Sequence, residues 1–203
     1  MLAVLACALS GRDAARADQP DEVKLRRWYV GLQATGGDRD TWDVFGIPGQ
    51  PPADVAASGG GGTVQFGYRF GGRFLLGLQV TSLNFDIPGY PDKMRDISVL
   101  VTGTVLFRER QTLQPFLRGA FGFGGVVEDA PGVDTVALGT AVLAAGGLQA
   151  RLSSRFSLEA ELGADFKNII EVQDWPDEGP DTERSVMISQ MGWHLSLGMV
   201  VWF

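Results

Sequence analysis

A chain of 203 residues with 28 glycines, 10 prolines and a formal charge of −7 has the make-up of one turn-rich β domain, not of a helical bundle. The acidic balance argues against a nucleic-acid partner, and the lone Cys7 excludes a disulfide framework or a thiolate metal site. No uninterrupted run of ~18 apolar residues is present, so no membrane-spanning helix is expected; the nearest approach, 136–148, is broken by Gly139, Thr140 and Gly146-Gly147.

Residues 1–17 read as an export signal: Leu2–Leu9 is a short apolar core and Ala15-Arg16-Ala17 an A-x-A cleavage site. No basic residue precedes the core, which points to a truncated start. A rival reading takes Val4-Leu5-Ala6-Cys7 as a lipoprotein box with Cys7 acylated. Residues 18–27 form a polar periplasmic lead, and 28–203 make one domain.

Within that domain the side chains alternate with a period of two, the mark of strands with one apolar and one polar or small face. Trp28, Val30, Leu32 and Ala34 define a first strand, followed by a long insertion, 36–62, that carries Trp42 and Phe45. Val64, Phe66, Tyr68 and Phe70 define the second, and Gly71-Gly72-Arg73 turns the chain. Phe74, Leu76, Leu78 and Val80 form the third, then a loop spans 87–96. A fourth strand carries Ile97, Val99, Val101, Val105 and Phe107, a turn follows at 108–110, and a fifth carries Leu117, Phe121 and Phe123. After a loop at 128–134 comes a sixth strand, 136–152, small or apolar on both faces. The turn Ser153-Ser154-Arg155 leads into a seventh, with Phe156, Leu158, Ala160, Leu162 and Ala164 set against Ser157, Glu159, Glu161 and Asp165. By parity a three-residue turn here sets Gln149 opposite Glu159 and Arg151 diagonal to it. An acidic loop, 173–184, precedes the last strand, 185–203. There Met191, Trp193, Leu195, Leu197, Met199, Val201 and Phe203 face Gln190, Gly192, His194, Ser196 and Gly198.

Two features go beyond a generic all-β domain. Long acidic connections alternate with short ones along the chain, as a barrel with two unlike rims requires. Charged residues at mid-strand, Arg69, Arg118, Arg151, Glu159, Glu161 and Asp165, lie opposite the large apolar face. In a soluble sandwich that face would look to water; in a membrane barrel the apolar face meets lipid and the charges pair inside. Aromatics beside the strand ends, Trp28, Tyr68, Phe70, Phe74, Phe107, Phe156, Phe166, Trp202 and Phe203, suit interfacial girdles. The predicted fold is all-β: a closed antiparallel up-and-down transmembrane barrel of about eight strands.

On the terminal aromatic strand, the glycine content and the 150–158 hairpin, the chain resembles the small eight-stranded OmpA/OmpX-like barrels of bacterial outer membranes. The resemblance covers 28–203 and rests on pattern; no peptidoglycan-binding domain follows the last strand. It implies residence in the outer membrane of a Gram-negative cell after passage through the periplasm. It also implies contact with outer-membrane lipids and lipopolysaccharide, and a terminal signal, Val201-Trp202-Phe203, read by the barrel-assembly machinery.

A structural or surface-interaction role with no cofactor, no metal and no active site is the leading expectation. The acidic loops, with Asp38, Asp40, Asp43, Asp54, Asp174, Asp177, Glu178, Asp181 and Glu183, match no EF-hand spacing and offer a surface for a ligand. Trp42, Phe45 and Trp175 would sit among them. Three alternatives stand. The resemblance includes lipid A-modifying barrel enzymes, for which His194 and Ser196, two apart and so on one face, are the candidate pair. The plainer reading of His194 is an interior histidine bonded to Gln190 or a glutamate. A small solute pore and a soluble lipid-binding barrel are the others. Eight strands leave a lumen just wide enough for its own side chains, which favours a plugged interior with small residues such as Gly67, Gly77, Ala120, Gly122 and Gly163 making room for the arginines.

Overall fold

The computed structural model describes residues 27–41, 55–86, 93–108, 111–130, 133–176, 179–180 and 182–203. They form eight strands: β1 (Trp28–Thr41), β2 (Val55–Phe70), β3 (Phe74–Asp86), β4 (Lys93–Leu106), β5 (Leu113–Ala130), β6 (Val133–Arg151), β7 (Phe156–Pro176) and β8 (Thr182–Trp202). Each strand pairs antiparallel with the next, and β8 closes on β1, so the sheet has no free edge.

The closure has a defined stagger. By register Val30 leads to Phe66, Leu78, Val101, Phe121, Val142, Phe166 and Met191, and Met191 then pairs with Asp40. One circuit therefore climbs from position 30 to position 40 of β1. A shear of ten on eight strands tilts them by roughly 40° from the barrel axis. Nearly every member of that row is a large apolar residue pointing outward.

The exterior carries the apolar belt: Leu32, Val64, Leu76, Leu78, Val99, Val101, Leu158, Leu162, Leu195 and Leu197 are all exposed. Such a surface in water would far exceed what a soluble monomer exposes. Facing lipid, it is satisfied by the same residues that make each strand alternate. The lower end of the belt carries Trp28, Phe70, Phe74, Phe107, Phe156 and Phe203, exposed beside the tight turns. Trp202 departs from the expected girdle: it is buried inside the barrel, because Phe203 faces out and parity turns its neighbour inward.

The strands run further toward the loop side than their composition suggests. Residues 36–41 and 55–62, expected to belong to a long insertion, are paired strand, with Gly36 opposite Gly60 and Gly37 opposite Gly59. Glycine is a poor strand former by itself, but here flanking strands supply the ladder, and close approach needs its bare backbone. A Cβ at Gly37, Gly59 or Gly61 would fall 2.2, 2.3 and 1.9 Å from the carbonyl oxygens of Trp193, Asn84 and Ser82. Of the expected 128–134 loop, 128–130 and 133–134 are strand, since β5 and β6 pair out to Ala130 and Val133; 131–132 lie outside the described residues. The 87–96 loop shortens because β4 begins at Lys93, and the 173–184 loop because β7 reaches Pro176 and β8 starts at Thr182. Trp42, Phe45, Asp43, Asp54, Asp177, Glu178, Asp181 and Cys7 lie outside the described residues.

Candidate functional site: the barrel interior

Inward positions stack in layers along the axis. At the turn end Tyr29, Leu75, Leu106, Phe116, Val200 and Trp202 form an apolar floor. The guanidinium of Arg69 lies 4.2 Å above the Trp202 ring, and Trp202 Nε1 donates to Ser157 Oγ at 3.1 Å. A cation held over an indole in a desolvated setting is a favourable contact. Two glycines create the space for Tyr29: a Cβ at Gly67 or Gly77 would lie 2.7 or 2.6 Å from its hydroxyl oxygen.

Above the floor sits the first charged layer. Arg118 bridges two carboxylates of β7, donating from Nη2 to Glu159 at 2.9 Å and from Nη1 to Glu161, while its Nε donates to Thr104 at 3.0 Å. Glu159 also accepts from Gln33 at 2.7 Å and from Gln149 at 3.4 Å. All of these side chains are buried. They sit there because every second residue of β7 from Ser157 faces in, placing Glu159 and Glu161 one above the other.

The next layer has two unlike halves. On β8, β1, β2 and β3 a ladder of hydroxyls crosses the wall: Ser196 to Thr35 at 2.9 Å, Thr35 to Thr63 at 3.0 Å, Thr63 to Thr81 at 3.0 Å. Leu100, Ala120, Ala141, Leu143 and Ala145 fill the facing half. His194 stands beside them, its Nε2 3.3 Å from Glu161 and its Nδ1 3.9 Å from Asp165. Gly163 makes the slot for its ring, since a Cβ there would lie 2.6 Å from Cε1. Gly67, Gly77 and Gly163 thus make room for Tyr29 and His194, not for an arginine.

A second charged layer lies nearer the loops. Arg39 reaches Asp96 at 2.9 Å and Asp165 at 2.8 Å, and Lys167 donates to Asp96. Phe85 lies under the Arg39 guanidinium at 5.4 Å. Val126, Ala137, Ile169, Val172 and Ile188, with Met94 against them, form an apolar upper layer. A bulge at Ile170 shifts the inward parity of β7 by one, so that Ile169 and Val172 both face the interior.

The six charges anticipated from the sequence divide accordingly. Arg118, Glu159 and Glu161 meet directly, Asp165 joins the upper cluster, and Arg69 rests on Trp202 in the floor. Arg151 stands half-buried at the turn-side mouth, opposite Ser157, while Gln149 pairs with Glu159 in the register that the turn dictates. Arg39, Asp96 and Lys167 were missed. Each keeps the inward parity of its strand, which was the available signal, but the first two fall in stretches whose glycines and prolines read as loop. His194 and Ser196 share a face without forming a pair. Ser196 bonds Thr35, and the imidazole faces Glu161 and Asp165. Nine-tenths buried, neither offers the exposed nucleophile that acyl transfer needs. Among the described residues no cluster of potential metal ligands occurs.

This is the interior and exterior of a small transmembrane β-barrel. No family model and no curated protein matches the sequence, but solved structures match the fold. The Neisserial surface protein A superposes with a TM-score of 0.59 at 16% identity, covering 87% of this chain and 97% of that one. The outer membrane protein AlkL gives 0.56 at 14% identity, covering 95% and 97%. OprG from Pseudomonas aeruginosa gives 0.54 at 14%, covering 88% and 96%. The chain has the fold of the small eight-stranded barrels of bacterial outer membranes.

Proposed function

We propose that this chain is an outer-membrane resident with a sealed lumen, serving a structural or surface-interaction role rather than catalysis or conduction. The filled interior carries that reading: two apolar layers enclose two ion-paired layers. A cavity lined by Thr35, Thr63, Gln79, Asp165, Lys167 and His194 has a volume of about 20 Å³, space for roughly one water molecule. The lipid-facing belt and the outer-membrane origin of the structural neighbours support the location. Function then falls to the loop rim, where Asp38, Asp40, Asp86, Asp134 and Glu183 are exposed and offer an acidic surface to a ligand.

Membrane fractionation with lipid A mass spectrometry tests this reading. Cells producing the protein or its His194→Ala variant should carry it in the outer membrane, and both should yield the same lipid A species as cells producing neither. A lipid A species that appears with the wild type and vanishes with His194→Ala would establish the enzyme instead. Recovery in the soluble periplasmic fraction would overturn the location.

A further inference from the structure

The turn-side rim repeats one dyad at every second strand boundary: Arg27-Trp28 before β1, Arg73-Phe74 between β2 and β3, Phe107-Arg108 between β4 and β5, Arg155-Phe156 between β6 and β7. All four arginines are exposed. Their aromatic partners are 48%, 58%, 44% and 42% exposed and mark the lower edge of the lipid belt. By sequence Glu109 is the one carboxylate in the three turns that join strands on this side and lies outside the described residues, whereas exposed carboxylates Asp38, Asp40, Asp86, Asp134 and Glu183 gather at the opposite rim. Solubility alone would not place each of these cations next to a lipid-facing ring.

Aromatic side chains girdle a transmembrane barrel where its apolar band meets the interface, so a neighbour on the turn side of such a ring lies close to phosphate depth. A guanidinium there presents a planar fork of donors matched to phosphate oxygens. Arg27 shows how such a group is steadied, donating from Nη1 to the Tyr68 hydroxyl at 3.0 Å. Four such groups spaced around the circumference make a positive collar within one leaflet, a charge pattern that favours lipids with net negative headgroups.

We infer that this collar of Arg27, Arg73, Arg108 and Arg155 binds anionic phospholipid headgroups, of the phosphatidylglycerol kind, in the leaflet around the turn end. The inference rests on the membrane reading above and adds the identity of the lipid. Zwitterionic headgroups share the phosphate but add an ammonium that cancels the collar's attraction. Preference for net charge is therefore the discriminating property.

Electron spin resonance of the reconstituted barrel with spin-labelled phosphatidylglycerol or phosphatidylcholine measures that preference as the ratio of immobilised lipid. At low salt the anionic label should be favoured by about two- to fivefold. The ratio should approach unity in 1 M salt, where the screening length is about 3 Å. Replacing all four arginines by Gln should abolish the preference, replacing them by Lys should retain most of it, and Arg95→Gln at the opposite rim should change nothing. If the fourfold Gln variant fails to fold, the pairs Arg27→Gln with Arg108→Gln and Arg73→Gln with Arg155→Gln should each lower the ratio. Equal immobilisation of both lipids by the wild type would overturn the inference. So would a preference that survives the Gln substitutions in a folded barrel. A protein that immobilises neither label has not inserted, and it is the membrane reading that then fails.

Discussion

A chain lacking Val201, Trp202 and Phe203 should reach the membrane as unfolded, protease-sensitive material, with folded yield reduced to background. The three residues hold the seam. Val201 pairs with Val30 on β1 and Phe156 on β7, and the amide of Phe203 donates to Trp28. Trp202 fills the floor beneath Arg69 and bonds Ser157. Truncating a buried tryptophan alone costs about 3–5 kcal/mol. Losing the pairing besides reopens the β1–β8 edge in a setting where unpaired backbone groups are costly. Limited proteolysis and heat-modified migration of membrane fractions report the outcome. Full protection of the truncated protein would contradict the closure. Trp202→Ala and Phe203→Ala divide the effect between interior packing and the outward-facing end of the strand.

Glu161→Leu should destabilise the folded barrel by about 3–5 kcal/mol, the usual loss when one partner of a buried pair is removed. Glu161 receives Arg118 on one side and His194 on the other. A leucine leaves the Arg118 Nη1 without its acceptor and the imidazole without its nearer carboxylate. Glu161→Gln should cost less, because the amide oxygen still accepts. His194→Ala should have a small effect: Glu161 keeps Arg118 and Asp165 keeps Arg39. Urea titration of the three variants in lipid vesicles gives the order, and equal midpoints for Glu161→Leu and wild type would remove Arg118–Glu161 from the account of stability.

How much of this was legible depends on what each residue signals locally. Strands such as β7 and the terminal half of β8 read directly, because large apolar and charged residues alternate without a break. Arg118, Glu159 and Glu161 stand on that alternation, so their meeting followed from parity and closure. The glycine-rich ends of β1 and β2 were hidden for a physical reason. Gly59–Gly62 have no side chain to show a phase, and their extended conformation is imposed by β1 and β3. Arg39 was lost with those ends and Asp96 with the proline-bearing 87–96 stretch, and with them went the upper ion-pair layer. The slot that Gly163 makes for His194 depends on which side chains share a height in the tilted barrel. The shear fixes that, and no single strand displays it. Trp202 was misplaced among the girdle aromatics because proximity to the strand end outweighed its parity.

The filled lumen is the central claim, and planar-bilayer recording of the purified monomer tests it most directly. With the Tyr29–Trp202 floor at one end, the Val126–Ile188 cluster toward the other, and Arg39, Arg118 and Lys167 paired to carboxylates in between, the barrel should pass no sustained ionic current. Loosening the network by Glu161→Gln should at most produce brief, irregular openings. A long-lived conductance of reproducible size from the wild type, with ion selectivity altered by Glu161→Gln, would mean that the charged layers line a channel and that the barrel is a pore.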